Sequence, residues 1–263
     1  MKWSEVVGSS LINQQVALAA KANRQGDRPP DLVEAYNAAW GTINEVNDVL
    51  GRLNKPVFDL DIEDAEIVFL MLFNSLSDII AAVYTLTSGW IRPSVTALRG
   101  AIETVGTAIV VHHDSEMMER FKAGKLEIPG HILGKSKHFL PSLPRLYSAL
   151  TKQFTHETFD STSRSINQEL GELTLIPRIC AENLPVYLNV FVETVCLAQM
   201  LGMAAEICFP GLAGADTYFT VGAEGTRCRR AALSDEAIKM VVAARERGHK
   251  AYAERKGREG STS

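Results

Sequence analysis

A single apolar seam constrains this chain more than any other feature. Its members recur at steps of three and four residues, which is the spacing of one face of a helix: Val95, Leu98, Ile102, Val105 and Ile109. The positions between them are mostly alanine, glycine, threonine and valine, so the helix predicted over 93–113 is apolar nearly all round. Such a helix must be surrounded by others, and the seam therefore predicts the interior of a helical bundle.

Further helices are predicted on both sides of the seam. Helical spacing indicates helices over 4–24, 31–53, 61–87, 115–122, 142–156, 185–209 and 234–255, and only two short strand candidates occur, at 172–176 and 218–221. The segment 124–144 is predicted to be broken loop with one helical turn at most. We expect a single all-α domain over 1–263, an antiparallel helical bundle with its core at about 60–210, N-terminal helices over 4–54 and a basic C-terminal helix over 234–256.

Charge is distributed unevenly along the chain. The 263 residues carry a net charge of −4, but from Arg227 onward there are ten Lys/Arg against five Asp/Glu. A basic tail on an acidic body can attract a nucleic acid or an anionic membrane, or be only a solvated helix end. The compact run Arg227, Arg229 and Arg230 is a candidate binding site for phosphates, although no aromatic residues alternate with it to stack on bases.

The sequence predicts a cytoplasmic protein that makes no membrane contact. The longest apolar runs, near 67–73 and 79–83, are separated by Asn74, Ser75, Ser77 and Asp78, so no uninterrupted run of about 20 residues is present. The beginning of the chain lacks the apolar core of a secretion signal. The four cysteines form no Cys-x-x-Cys pair, which favours reduced thiols in a reducing compartment: Cys180, Cys196, Cys208 and Cys228.

Arg99 and Glu103 are the most informative polar residues. They lie four apart on the seam helix, where their side chains can meet. One interpretation is a pair that fixes how the helix packs, because a buried ion pair is costly and seldom a net stabiliser. The other is that Arg99 binds an anion or orients a catalytic group.

His156 is the second candidate, at the end of a predicted helix that also carries Arg145 and Tyr147. A histidine in a last turn interacts favourably with the helix dipole, and it is also suited to general acid/base catalysis near neutral pH. Asp78, in a polar interruption of the helix 61–87, is either part of a solvent-facing stripe or a binding residue.

No motif indicates a metal or a cofactor. His112 and Glu116 have i, i+4 spacing, but a helix end is predicted between them, and the cysteines lack the spacing of a zinc finger. The phosphate-binding loops of nucleotide-binding folds and the nucleophile elbow of hydrolases are missing from the sequence. We therefore predict no metal and no cofactor.

Residues 72–111, with their glycine-marked turn and Arg99-x-x-x-Glu103, and the later segment from Leu146-Tyr147 to His156 resemble bacterial proteins with a HEPN-like helical bundle. This resemblance implies a HEPN-like core, and it covers roughly residues 60–160 with part of the following long helix. HEPN proteins include metal-independent ribonucleases, often dimeric, of toxin and phage-defence systems. Their hallmark places a histidine only a few residues after an arginine, whereas ten residues separate Arg145 from His156 here.

Two functions follow as predictions, and whether the protein is an enzyme stays open. The first is a non-catalytic binding or regulatory bundle with a protein partner, in a bacterial stress, toxin–antitoxin or phage-defence system. The alternative is a HEPN-like ribonuclease or RNA-binding protein, with Arg99 stabilising charge on phosphate, Glu103 orienting Arg99 and His156 transferring protons. RNA or a nucleotide is then the ligand, and a two-fold homodimer is the expected oligomer. The missing hallmark places the binding bundle first.

Overall fold

The structure is a computed structural model, and it describes residues 29–126, 129–152, 179 and 184–212, together with four short strands. The predicted helices over 4–24 and 234–255 lie outside the described residues. So do His156, Arg229 and Arg230.

Four long helices form the centre of the molecule: α1 (Pro30–Phe58), α2 (Glu63–Thr87), α3 (Ile91–His113) and α7 (Leu184–Cys208). Between α3 and α7 the chain forms three shorter helices, α4 (Ser115–Lys122), α5 (Pro129–Ser136) and α6 (Leu143–Leu150). Strands β1 (Ile166–Asn167) and β2 (Glu172–Leu173) pair antiparallel, as do β3 (Phe219–Gly222) and β4 (Gly225–Cys228).

Contacts at the two ends of the bundle fix the helix directions. Tyr187, near the start of α7, donates a hydrogen bond to the Gly89 carbonyl oxygen between α2 and α3, at 3.1 Å. At the opposite end, Phe209 follows α7 and its ring lies 6.5 Å from that of Phe69 on α2 and 5.7 Å from that of His112 on α3. Helix α2 therefore runs antiparallel to α3 and α7, and the segment containing α4 to α6 carries the chain back along the bundle.

Local chemistry explains where the helices turn. Gly89 has a φ of 92°, a conformation that glycine adopts without the clash of a Cβ atom, and it allows the sharp reversal from α2 to α3. Helix α4 begins at Asp114, whose side chain accepts a hydrogen bond from the Met117 backbone N–H at 3.1 Å. Lys122 at its end contacts Asp64 Oδ1 at 2.6 Å, in the acidic first turn of α2.

The prediction of an all-α helical bundle is confirmed. All five seam residues of α3 are 0 % exposed, and α1 contributes its own buried residues to the same core, which therefore extends on the N-terminal side of residue 60. The predicted helix ends agree to within about two residues for α2, α3, α4 and α7. Helix α1 continues past Pro56 to Phe58, although this proline has no backbone N–H to donate to the preceding turn.

Helix α5 differs from the prediction of broken loop. Gly130 and Gly134 weaken it as an isolated helix, but Ile132, Leu133 and Ser136 are buried against the bundle. Packing therefore outweighs the local preference of this segment.

The predicted cytoplasmic location is contradicted. Helices α2, α3 and α7 are long and apolar enough, by length and composition alone, to cross a membrane, with mean hydropathies of 1.9, 1.3 and 1.5 over their most apolar stretches. Requiring an uninterrupted apolar run was too strict, because a helix can hold small polar residues whose hydroxyls bond its own backbone. Ser75 donates such a bond to the Met71 carbonyl oxygen at 2.9 Å. Between 50 % and 61 % of each stretch is buried inside the bundle itself.

Candidate functional site

The predicted Arg99 and Glu103 pair is joined through a third residue. The Arg99 Nη2 atom donates to the Tyr147 hydroxyl oxygen at 2.8 Å, and that hydroxyl donates to Glu103 Oε1 at 2.7 Å. Cation, hydroxyl and carboxylate thus form one directed chain between α3 and α6. We call these three residues the bridging network.

The sequence of α6 explains how Tyr147 reaches this position. Leu143, Leu146 and Leu150 are spaced by three and four residues, and all three are buried. Tyr147 follows Leu146 and is half-buried at the edge of this apolar face. The leucines hold α6 against the bundle, and the tyrosine hydroxyl then lies among the polar side chains of α3.

Gly106 on α3 allows the close approach of the neighbouring helices. A Cβ atom built on Gly106 would lie 2.7 Å from Leu133 Cδ2 on α5, and 3.4 Å from both Leu143 Cδ2 and Ser136 Oγ. The first distance is shorter than real carbon atoms allow, so a side chain at this position would force the buried Leu133 side chain, or α5 with it, to shift. Sequence reasoning missed this role, for which the only signal was one glycine beside the seam position Val105.

Arg99 makes two different contacts with Tyr147. Besides the hydrogen bond, its guanidinium carbon lies 4.9 Å from the centre of the Tyr147 ring, within the range of a cation–π interaction. Its Nε atom is buried and has no hydrogen-bond acceptor among the described residues. A buried donor without an acceptor costs about 1–3 kcal/mol, and this cost opposes the two favourable contacts that Arg99 makes with Tyr147.

Asp78 on α2 lies beside α3 at Gly100. A Cβ built on Gly100, the residue after Arg99, would lie 3.9 Å from Asp78 Oδ2. Burial raises the pKa of the Asp78 carboxyl above its ordinary value. The predicted solvent-facing stripe of Asn74, Ser75 and Asp78 is therefore only partly correct, because Asn74 is exposed, Asp78 is partly buried beside α3, and Ser75 is fully buried.

Of the other predicted binding residues, Arg145 has a described side chain, and it lies outside this network. Arg145 is exposed on α6, and Arg227 lies in β4, where it pairs with Thr220 of β3. His156, Arg229 and Arg230 lie outside the described residues, so the predicted convergence of His156 with Arg99 stays a prediction.

The two histidines at the end of α3 take part in ring packing. The His113 ring stacks on Phe139 at 4.3 Å with 6° between the planes, and His112 meets Phe209 edge-on at 5.7 Å. Burial lowers the pKa of both, and the neighbouring His113 lowers that of His112 further. Within the described ranges, no group of three or more His, Cys, Asp or Glu side chains is placed to hold a metal ion.

Comparison of the chain with protein-family models, with curated proteins and with solved structures gives no match. The HEPN-like resemblance therefore stays a prediction, and a functional proposal has to come from the geometry of the bridging network and its surroundings.

Proposed function

We propose that this protein is a non-catalytic binding or regulatory bundle in which the bridging network holds α6 against α3. The observation that supports this function is the position of the Tyr147 hydroxyl. It accepts from Arg99 and donates to Glu103, so the polar groups best suited to chemistry are engaged with one another. Tyr147 thereby links the segment that contains α4 to α6 to the four long helices.

The charges near Arg99 also favour a non-catalytic role for this protein over the cleavage of RNA. A ribonuclease needs positive charge that is available to the developing negative charge on phosphate. Here Arg99 is hydrogen-bonded to Tyr147, and Tyr147 donates to the Glu103 carboxylate, so the charge of Arg99 is balanced by a carboxylate in the same network. A balanced cation attracts a polyanion less strongly than a free one does.

A regulatory role follows from the type of contact that α6 makes. The helix is only eight residues long, and its face consists of three leucines beside one tyrosine. A partner helix with a similar apolar face can take the place of α6 against the bundle, since an amphipathic helix packed by its apolar face is a common mode of protein recognition. Displacement of α6 would separate Tyr147 from Arg99 and Glu103. Binding of a partner helix in the place of α6 is therefore coupled to the loss of these two hydrogen bonds.

RNA cleavage and binding assays separate this proposal from the ribonuclease alternative. Wild-type protein, Arg99→Ala, His156→Ala and Tyr147→Phe would be incubated with single-stranded and hairpin RNA in the presence of EDTA, after circular dichroism has verified folding. Arg145→Ala is the matched control, because Arg145 is an exposed arginine on the same helix as Tyr147. We expect no cleavage by any of these proteins. Cleavage by the wild type that is lost in folded Arg99→Ala and His156→Ala, and kept in Arg145→Ala, would overturn the proposal in favour of the ribonuclease.

The proposed coupling needs a positive test as well. A synthetic peptide of residues 141–152, carrying the α6 face, would be added to wild-type protein and to Tyr147→Phe, with fluorescence anisotropy of the labelled peptide as the readout. Because the variant holds its own α6 less firmly, we expect it to bind the peptide about tenfold more tightly than the wild type does, corresponding to about 1.4 kcal/mol. Equal affinities of the wild type and Tyr147→Phe for the peptide would show that the bridging network does not control binding in the place of α6.

A further inference from the structure

The C-terminal end of α3 contacts two other segments of the chain through a pair of adjacent histidines. The His113 ring lies flat on the Phe139 ring, with 4.3 Å between the ring centres and 6° between the planes. His112 meets the Phe209 ring edge-on at 5.7 Å. Phe139 belongs to the connection between α5 and α6, and Phe209 follows the last residue of α7. We call these four residues the histidine cluster.

The two histidine rings are also close to each other. Their centres are 4.8 Å apart, and their planes meet at 84°. His112 is partly buried, whereas His113 is exposed to water although Phe139 covers one side of its ring. One positive charge over an aromatic ring is tolerated, because the face of the ring attracts a cation. Two positive charges at this distance repel each other, so the cluster accommodates a second proton poorly.

The groups around the cluster do not neutralise a second charge. The surrounding titratable residues lie within four positions of a cluster ring or of Phe69, the α2 ring that contacts Phe209: Glu66, Asp114, Glu116, Lys135, Lys137, His138, Glu206 and Cys208. Asp114 caps α4 by accepting from the Met117 backbone N–H at 3.1 Å, and Cys208 stays a neutral thiol because burial raises its pKa to about 12. Burial lowers the pKa of both histidines, His113 lowers that of His112 further, and none of the described carboxylates raises either pKa.

We propose that the histidine cluster is a pH-dependent contact, which holds the connection between α5 and α6 against α3 near neutral pH and releases Phe139 when both histidines are protonated. The exposed His113 ring can turn into water, whereas His112 stays packed against Phe209. The inference does not depend on a partner helix. Because α6 begins at Leu143, soon after Phe139, acid would also ease the displacement of α6 that is proposed above.

The direction of the pH effect follows from the two lowered pKa values. Both lie below the ordinary histidine value of 6.5, so the opened chain binds protons more readily than the closed cluster does. The contribution of the cluster to stability is therefore complete above about pH 6.5 and decreases as the pH falls below that value. We expect the connection to open about tenfold more often at about pH 5.5 than at about pH 7.5.

Hydrogen exchange of the full chain, corrected for the intrinsic pH dependence of exchange, measures this opening. The Phe139 and Leu140 backbone N–H groups are the reporters, because each donates to the Ser136 carbonyl oxygen at 3.0 Å. Between about pH 7.5 and about pH 5.5 we expect their protection to fall about tenfold, while residues 43–53 of α1 keep theirs. Unchanged protection of the reporters, or an equal loss in α1, would overturn the proposal.

His113→Phe separates the effect of charge from that of ring packing. Phenylalanine keeps a ring on Phe139 but cannot be protonated, so we expect the protection of the reporters to change less than about twofold between the two pH values. His138→Gln is the matched control, because His138 is an exposed histidine of the same connection that makes no ring contact among the described residues. This control is expected to keep the tenfold change. The proposal fails if His113→Phe responds to pH as the wild type does, or if His138→Gln loses the response.

Titration of the histidine ring protons by nuclear magnetic resonance tests the coupling of the two rings with a second variant, His113→Gln. In the wild type we expect the pKa of His112 to lie below 6.5. In His113→Gln we expect it to rise, because the neighbouring positive charge is removed, and to stay below 6.5, because burial is the larger cause. A wild-type pKa of His112 at or above 6.5, or a pKa that His113→Gln leaves unchanged, would overturn the proposal.

Discussion

Helix α3 meets its neighbours in two different ways. Toward the other long helices it presents the apolar seam, whose five residues are 0 % exposed. Toward α6 it presents Gly106, which lies close to the buried Leu143, and also Arg99 and Glu103, which are partly buried and bound to Tyr147. The apolar contacts gain free energy from burial with little directional requirement, whereas the bridging network depends on hydrogen-bond geometry. We predict from this difference that α6 can separate while the four long helices stay assembled.

The largest expected effect is in the seam. Leu98→Ala removes a fully buried side chain, and we expect it to lower the free energy of unfolding by about 2–5 kcal/mol, because the cavity adds to the lost burial. Urea denaturation followed by circular dichroism measures this loss. A loss below about 1 kcal/mol would show that the seam is not packed as described.

Gly106 lies where α3 approaches α5 and α6 closely. Because a Cβ atom would clash with the buried Leu133 side chain, Gly106→Ala is expected to cost about 1–3 kcal/mol through repacking between α3 and α5. Gly51→Ala on α1 is the control, since nothing lies within 4 Å of its added Cβ and alanine favours a helix by about 1 kcal/mol. Thermal melting of the two variants should move in opposite directions, and equal shifts would contradict the close approach of α5.

Removal of the bridging hydroxyl has a smaller expected effect. Tyr147→Phe keeps the ring and its contact with Arg99 but leaves Arg99 Nη2 and Glu103 Oε1 without their shared partner. We expect a loss of about 1 kcal/mol, at the low end of the cost for unsatisfied groups because the site is half-exposed to water. Chemical denaturation checks the value, and an unchanged stability would mean that water replaces the hydroxyl at no cost.

Asp78 gives the smallest effect, which depends on pH. Its raised pKa means that folding disfavours the charged form, so this group lowers stability as the pH rises through its titration range. Asp78→Asn is therefore expected to melt slightly higher than the wild type at pH 7, and the difference should vanish below the ordinary aspartate pKa of about 4. A lower melting temperature at pH 7 would show that the carboxylate is stabilised by a positive charge such as Arg99.

Hydrophobic spacing predicted the long helices well, because each buries an apolar face that the sequence itself displays. Helix α5 was missed because its glycines disfavour a helix until α3 packs against it. The site was predicted only as separate residues. The sequence indicated four of its residues: Arg99, Glu103, Tyr147 and Asp78. Their contact could not be predicted, because Tyr147 lies 44 residues after Glu103 and the path of the chain through α4 and α5 brings the two together. Local spacing carries no information about such a path.

Hydrogen exchange measured by mass spectrometry tests most directly whether α6 can separate from an intact bundle. The comparison is between wild type, Tyr147→Phe and Leu98→Ala. If α6 opens by itself, Tyr147→Phe accelerates exchange in residues 143–150 about tenfold, while α2 and α3 stay as protected as in the wild type. Leu98→Ala, in contrast, accelerates exchange in all four long helices. Equal acceleration of α2, α3 and α6 in Tyr147→Phe would contradict the claim, because it would mean that α6 opens only when the whole bundle unfolds.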